Sequence, residues 1–246
     1  MRNLRFTMSY DGTEYHGFQI QKEAVTIEGV LRDAVYNLTG EKVDIIGCGR
    51  TDAGVHAINY TFNFKTNSMI PCDKFPIALN TVTPEDITIL SCEEVSDDFH
   101  SRFCAKNKTY RYVIHNSKFK NPFMNRYAYH YKHKLDIEKM MIAKSYIIGT
   151  HDFTCFMAQG SVVRDTVRTV YSIDIIKEDE KIIIDVCGNG FLYNMVRIIV
   201  GTLIGAGNGK LQPHEIKNII ESKNRENAGM TVPPNGLYLK EVVYEK

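Results

Sequence analysis

The sequence predicts a mixed α+β protein of two ferredoxin-like, RRM-like halves that share a central, mostly antiparallel sheet with flanking helices. Three observations carry this prediction. Short stretches alternate apolar with polar residues, as strands with one buried face do. Between them lie segments whose apolar residues recur at helical spacing. In residues 1–100 these elements follow the β-α-β-β-α-β order of a split ferredoxin-like unit, and residues 101–246 repeat that logic with longer insertions. No low-complexity linker interrupts the chain, so the break near Ser96 to Arg102 reads as a boundary between two halves of one sheet.

Leu4, Phe6, Met8 and Tyr10 alternate with Arg5, Thr7 and Ser9, which is a half-buried strand, and Asp11-Gly12-Thr13 turns the chain. Ile27, Val30, Leu31, Ala34, Val35 and Leu38 fall on one helical face, with Thr26 as N-cap and Gly40 past the end. Val43 to Cys48 is a second strand, and Ile58, Tyr60, Phe62 and Phe64 alternate in a third. A short helix near Asp73 to Leu79 and a strand from Ile87 to Val95 complete the first half. In the second half Tyr110, Tyr112 and Ile114 alternate. Asp136 to Ile148 is helical, with Ile137, Met140, Met141 and Ile148 on its inner face. Val170 to Ile176 and Lys181 to Cys187 form a hairpin around Lys177-Glu178-Asp179-Glu180. Phe191 to Leu203 is a helix, Pro213 opens another through Ile220, and Leu237 to Tyr244 is a closing strand.

With 246 residues, an apolar fraction of 43 % and a charged fraction of 24 %, the chain buries a sizeable core. The formal net charge is +1, so a polyanionic partner has to be held by a local patch rather than by a global field. Met1 to Phe6 enters a strand pattern without a signal-peptide pattern. The longest apolar stretch, Phe191 to Ile204, contains Asn194 and Arg197 and is too short to span a bilayer. The six cysteines are scattered without a C-x-x-C pair. These features point to reduced thiols and a cytoplasmic location, with no membrane partner. His130-x-x-His133 has no second ligand pair nearby, so no metal is expected. The glycines from Gly201 to Gly209 lack a phosphate-loop context and read as a helix end and loop.

Four features carry chemistry. In Gly49-Arg50-Thr51-Asp52-Ala53-Gly54-Val55-His56 an acid follows an arginine between two glycines, just after an apolar run. An ionised carboxylate on a tight turn suits a nucleophile or base, although Asp in such a turn is also an ordinary hydrogen-bonding residue. Arg197 lies in a segment that is apolar nearly all round. A buried guanidinium needs a partner: Asp52 is one choice, another acid or a side chain reaching solvent the others. From Phe99 to Leu135 there is no acidic residue, and cations (Arg102, Lys106, Lys108, Arg111, Lys118, Lys120) interleave with aromatic rings. That is the composition of a nucleic-acid surface, or of a solvated face over core aromatics. Tyr110 sits mid-strand, where it packs, stacks on a base or moves a proton.

These positions, in order along the whole chain, resemble the TruA-type tRNA pseudouridine synthases. The motifs are Tyr10-Asp11-Gly12-Thr13 with Gly17-Phe18-Gln19, Gly49 to His56, Phe99-His100-Ser101-Arg102-Phe103, Thr109-Tyr110-Arg111-Tyr112, His151-Asp152-Phe153, Gly190-Phe191-Leu192, Met195-Val196-Arg197, Pro233 and Gly236-Leu237-Tyr238. The resemblance implies a pseudouridine synthase fold and isomerisation of uridine in the anticodon stem-loop of transfer RNA, positions 38–40. It implies a homodimer that uses no cofactor and no metal. It makes Asp52 the catalytic nucleophile, Tyr110 the active-site tyrosine and Arg197 the arginine paired with Asp52. Arg50 would sit at the rim, with Arg102, Arg111 and Tyr110 among the substrate contacts. Phe18, Cys104 and Tyr193-Asn194 depart from the residues common in the family, which leaves a paralogue acting on another RNA, such as ribosomal RNA, as the alternative. A non-catalytic RNA-binding module and a small-molecule hydrolase are the other classes, and neither explains all of these positions together.

Overall fold

Strand β1 (Arg2–Tyr10) forms where the alternation places it, burying Leu4, Phe6, Met8 and Tyr10. It is followed by α1 (Ile27–Thr39), β2 (Ile46–Gly47), β3 (His56–Thr66), α2 (Phe75–Asn80), β4 (Ile87–Val95) and β5 (Ala105–His115). Then come β6 (Tyr129–His130), α3 (Ile137–Ser145), β7 (Gly149–Asp152), β8 (Val167–Glu178) and β9 (Lys181–Gly188). Helices α4 (Met195–Gly207) and α5 (Glu215–Ser222) and strand β10 (Leu237–Tyr244) close the chain. The computed structural model describes residues 1–160 and 163–245. The chain falls into two compact units, Met1–Lys106 with Tyr238–Lys246, and Asn107–Leu237. Both are of the mixed α+β class with mostly antiparallel strands.

In the first unit β1 is central, antiparallel to β3 on one side and to β4 on the other. The two ends of β3 have different neighbours. Phe62 and Asn63 pair antiparallel with β2, whereas His56 and Ala57 pair in parallel with Tyr238 and Leu239 of β10. Register Leu4↔Phe64, Phe6↔Phe62 and Met8↔Tyr60 brings aromatic rings together on one face. Phe6 stacks on Phe62 and Phe64 at 5.1 and 5.0 Å, and Phe75 of α2 meets Phe6 edge-on at 5.3 Å. Such pairs contribute beyond their area burial. Thr26 caps α1 by accepting the Gly29 N–H, as its position predicts. The second strand is shorter than expected. Val43 and Ile45 are buried, but only Ile46–Gly47 joins a ladder. Apolar spacing reports burial, and an extended segment can be buried without strand pairing.

In the second unit the order is β5-β9-β8-β7, all antiparallel neighbours, with β6 added in parallel to β5. The hairpin turn between β8 and β9 is tighter than the four residues expected, with Asp179 at φ 50°. Helix α3 buries Met140 and Ala143, with Ile147 just beyond its end, while Met141 is exposed. The inner line therefore runs through a small alanine that the pattern of large apolar residues passes over. Helix α4 begins at Met195, not at Phe191, because Asn194 adopts a left-handed conformation (φ 59°). It runs on through Gly201, Gly205 and Gly207, so these glycines belong to the helix rather than to a loop. At Gly201 a Cβ would stand 1.8 Å from the Met230 carbonyl oxygen. The missing side chain lets the 229–230 backbone lie directly on the helix, where the Gly229 N–H donates to Thr202 Oγ1 at 2.9 Å.

Candidate active site

Asp52 lies half-buried in the turn between β2 and β3, with Arg50 exposed and Thr51 buried beside it. The turn closes on itself, the Val55 N–H donating to the Asp52 carbonyl at 3.2 Å. It is gripped by residues 10–18. Tyr10 Oη and Thr51 Oγ1 share a buried hydrogen bond of 2.8 Å, the Phe18 N–H donates to the Thr51 carbonyl, and the Gly54 N–H donates to the Tyr15 carbonyl. Gly17 has φ 87°, and a Cβ there would meet the Thr51 carbonyl oxygen at 2.4 Å. Glycine satisfies both the conformation and the close approach. Behind the turn, Phe18 stacks on Tyr60 at 4.4 Å, and the Tyr60 hydroxyl donates to the Gly49 carbonyl. His56, at the end of the turn, is buried and accepts the Gly12 N–H on Nδ1 at 3.1 Å, with Asp11 Oδ1 3.0 Å from the same nitrogen. Tyr15 donates to Asp86 at 2.6 Å, and burial followed by that carboxylate pushes its phenol well up. Sequence reasoning read Tyr10 to Gln19 only as a motif. The signal for its role as a clamp is the pair of glycines flanking aromatic residues at a fixed distance from a second glycine-bounded turn.

In the second unit Tyr110 lies half-buried on β5, its ring meeting Phe191 edge-on at 5.3 Å. Tyr112, two residues on, projects from the same face of the strand. It is fully buried, and its hydroxyl donates to the Pro233 carbonyl at 2.8 Å. Arg197, in the first turn of α4, donates Nε–H to the preceding carbonyl, Val232, at 2.7 Å and Nη1–H to Asn194 Oδ1 at 2.6 Å. The Val232–Pro233 backbone thus links α4 to β5. Burial raises the Tyr112 phenol, and the Arg197 charge opposes that rise. Arg197 is half-buried rather than enclosed, and Asn194, one turn earlier, orients its guanidinium.

Arg111 points away from Tyr110, since adjacent strand residues face opposite sides. It forms a two-point pair with Asp185, its register partner on β9, at 2.8 and 2.9 Å. Arg102 is exposed, its guanidinium 5.6 Å from the Phe103 ring. Of the aromatics in the acid-free stretch, Tyr112 is core, whereas Phe103, Phe119 and Phe123 are exposed. Among the described residues no cluster of three or more His, Cys, Asp or Glu side chains is placed to hold a metal, and no helix is long and apolar enough to cross a membrane.

The first unit thus carries a glycine-bounded acid in a clamped turn, and the second a half-buried tyrosine on β5 and an arginine in the first turn of α4 held by Asn194 and Val232. A family model described as tRNA pseudouridine synthase matches residues 7–104 and 142–245. The chain belongs to the tRNA pseudouridine synthase family. A tRNA pseudouridine synthase A of Thermoanaerobacter sp. (strain X514) is 51 % identical over 244 residues, 99 % of this chain and 100 % of that protein. Proteins of the same name from Acetivibrio thermocellus and Clostridium acetobutylicum are 51 % and 50 % identical over the same shares of both chains. The family is one of isomerases acting on tRNA uridine, and the matched stretches include Asp52 and Arg197.

Proposed function

We propose that the protein isomerises uridine to pseudouridine in the anticodon stem-loop of tRNA, positions 38–40, as a cytoplasmic homodimer with Asp52 as nucleophile. The observation that carries this reading is the family match, whose two stretches bring in the Asp52 turn and the Arg197 helix. The isomerisation exchanges bonds within one nucleotide and needs no energy carrier. The target base leaves its stack first, because its glycosidic bond cannot be reached inside a helix. Arg50, exposed at the edge of the turn, takes part in holding the extruded nucleotide, and Arg102 contacts the RNA backbone. The Asp52 carboxylate attacks C1′, the N1–C1′ bond breaks, and the uracil leaves with the electron pair. The uracil then turns, C5 attacks C1′ and displaces Asp52, and the C5 proton passes to the Tyr110 oxygen as that hydroxyl gives up its own proton, while N1 gains a proton from solvent, so that the product is neutral. Arg197 keeps a negative charge favourable at the reacting carboxylate and offsets the charge that develops on cleavage. Arg111, paired with Asp185 on the face of β5 opposite Tyr110, fastens β5 to β9 rather than contacting the base.

Tritium release from tRNA labelled at uridine C5 tests the reading. Asp52→Asn and Asp52→Ala are expected to bind tRNA as the wild type does and to release no tritium above background. Release at a substantial fraction of the wild-type rate from either variant removes Asp52 from the chemistry. Absence of pseudouridine in tRNA treated with the wild type refutes the activity itself.

A further inference from the structure

The segment joining β5 to β6 lies outside the stretches matched by the family model, and it has an unusual surface. Phe119 is 72 % exposed and Phe123 88 % exposed. A single exposed apolar residue needs no explanation, but two exposed phenylalanines four positions apart form a local apolar patch, and such patches rimmed by polar residues mark interaction sites. Their neighbours are cations. Lys118 Nζ stands 5.2 Å from the Phe119 ring centre, Lys120 follows, and no acid occurs anywhere from Phe99 to Leu135.

The backbone of this loop is fixed. Asn121 Oδ1 accepts the Phe123 N–H at 3.0 Å and opens a short 3-10 helix, Pro122–Met124. The Tyr127 and Ala128 N–H groups both donate to the Met124 carbonyl. At one edge His130 Nε2 lies 2.8 Å from the Ser117 carbonyl oxygen, and Ser117 donates to Glu180. At the other edge Asn235 donates to the carbonyls of Asn125 and Ala128 at 2.8 and 2.9 Å. The loop is tied at both edges and its middle is capped, and the rings are what it presents. Preorganised flat rings flanked by lysines bind unstacked nucleotides, the rings taking bases and the lysines taking phosphates.

We propose that Phe119 and Phe123, with Lys118 and Lys120, form a stacking platform for unpaired nucleotides of the RNA substrate, distinct from the reacting uridine. This rests on the proposed tRNA activity. The platform binds with little sequence readout, because every base offers a face to a ring. It is a positioning surface, and Phe119 and Phe123 take no part in bond exchange.

The test uses the full-length protein and the variants F119A/F123A and F119W/F123W, with a tRNA transcript and an oligouridylate as probes. In F119A/F123A both affinities are expected to fall about 10- to 100-fold. KM for tRNA should rise in step, with kcat, thermal midpoint and oligomeric state unchanged. F119W/F123W, which keeps flat rings, should bind both RNAs at least as well as the wild type. Wild-type affinity of F119A/F123A for both RNAs overturns the platform. So does a shift in sedimentation that accounts for the lost affinity, since the rings would then be covered by a second copy of this chain. If the wild type makes no pseudouridine in tRNA, the functional reading fails while the oligouridylate arm still decides on the platform.

Discussion

Arg197 is held by two neutral oxygens on separate segments, the Val232 carbonyl and Asn194 Oδ1. A planar guanidinium spans both in a fixed geometry, which an ammonium on a flexible stem cannot do. Arg197→Lys is therefore expected to lower tritium release by at least about 10-fold, in line with lost electrostatic stabilisation. Its far-UV circular dichroism should match that of the wild type. Normal turnover in that variant would remove Arg197 from the site. Tyr110→Phe keeps the edge-on contact with Phe191 and deletes only the hydroxyl. Its single-turnover rate is expected to fall about 10²- to 10⁴-fold, the range for a lost proton-transfer group, with tRNA affinity retained. At this scale the sequence singled out Asp52, Tyr110 and Arg197 by residue type and local context. Asn194 and Val232 were not legible as the holders of Arg197. A backbone carbonyl leaves no mark in side-chain identity, and Asn194 stands in the sequence as an interruption of an apolar run and a departure from the family's common residues, neither of which points to Arg197.

The elements supply two further predictions. At Gly201 the close approach of the Met230 carbonyl leaves no room for a methyl group, so Gly201→Ala should be destabilised by about 1–3 kcal/mol, the range for overpacking a well-packed site. Urea denaturation of the pure protein measures this, and an unchanged midpoint would mean that the 228–230 segment shifts freely. Asp152, at the end of β7, accepts from Lys223 at 2.8 Å and from the hydroxyls of Thr154 and Thr166. Lys223 first, then the two threonines, hold its carboxyl well below the usual carboxylate range. A carboxyl depressed in the folded state stabilises fully above its unfolded value of about 4 and loses that contribution as pH falls toward the folded value. Asp152→Asn should thus be less stable than the wild type at neutral pH, with the gap closing as pH is lowered from about 4 to 2. Thermal midpoints across that range check the sign. The sequence shows strand and helix positions well where alternation is regular, as in β1, α1 and β4. It places both ends of α4 four residues too early without changing its length, because a left-handed asparagine and helical glycines follow tertiary contacts rather than periodicity.

At the scale of the molecule, the near-neutral charge and the acid-free segment place cationic groups locally. If RNA is held by those groups, the logarithm of the tRNA association constant should fall linearly with the logarithm of salt concentration, at a slope of about −0.7 to −0.9 per phosphate contacted. Lys118→Gln should make the slope shallower, and a salt-independent affinity would argue against phosphate contacts altogether. Sedimentation at micromolar protein is expected to give a dimer, and a monomer retaining full turnover would refute the proposed assembly.

The amino-acid sequence alone determined the α+β class and most element positions, and it singled out the acid, tyrosine and arginine proposed for the site, because periodicity, turn chemistry and ordered motifs are written in residue identity. Only the tertiary structure decided that residues 10–18 clamp the Asp52 turn, that Arg111 is paired with Asp185 on the face opposite Tyr110, and that two phenylalanines stand in water on a fixed loop. Each of those depends on backbone atoms, or on partners distant in the chain, that become neighbours only after folding.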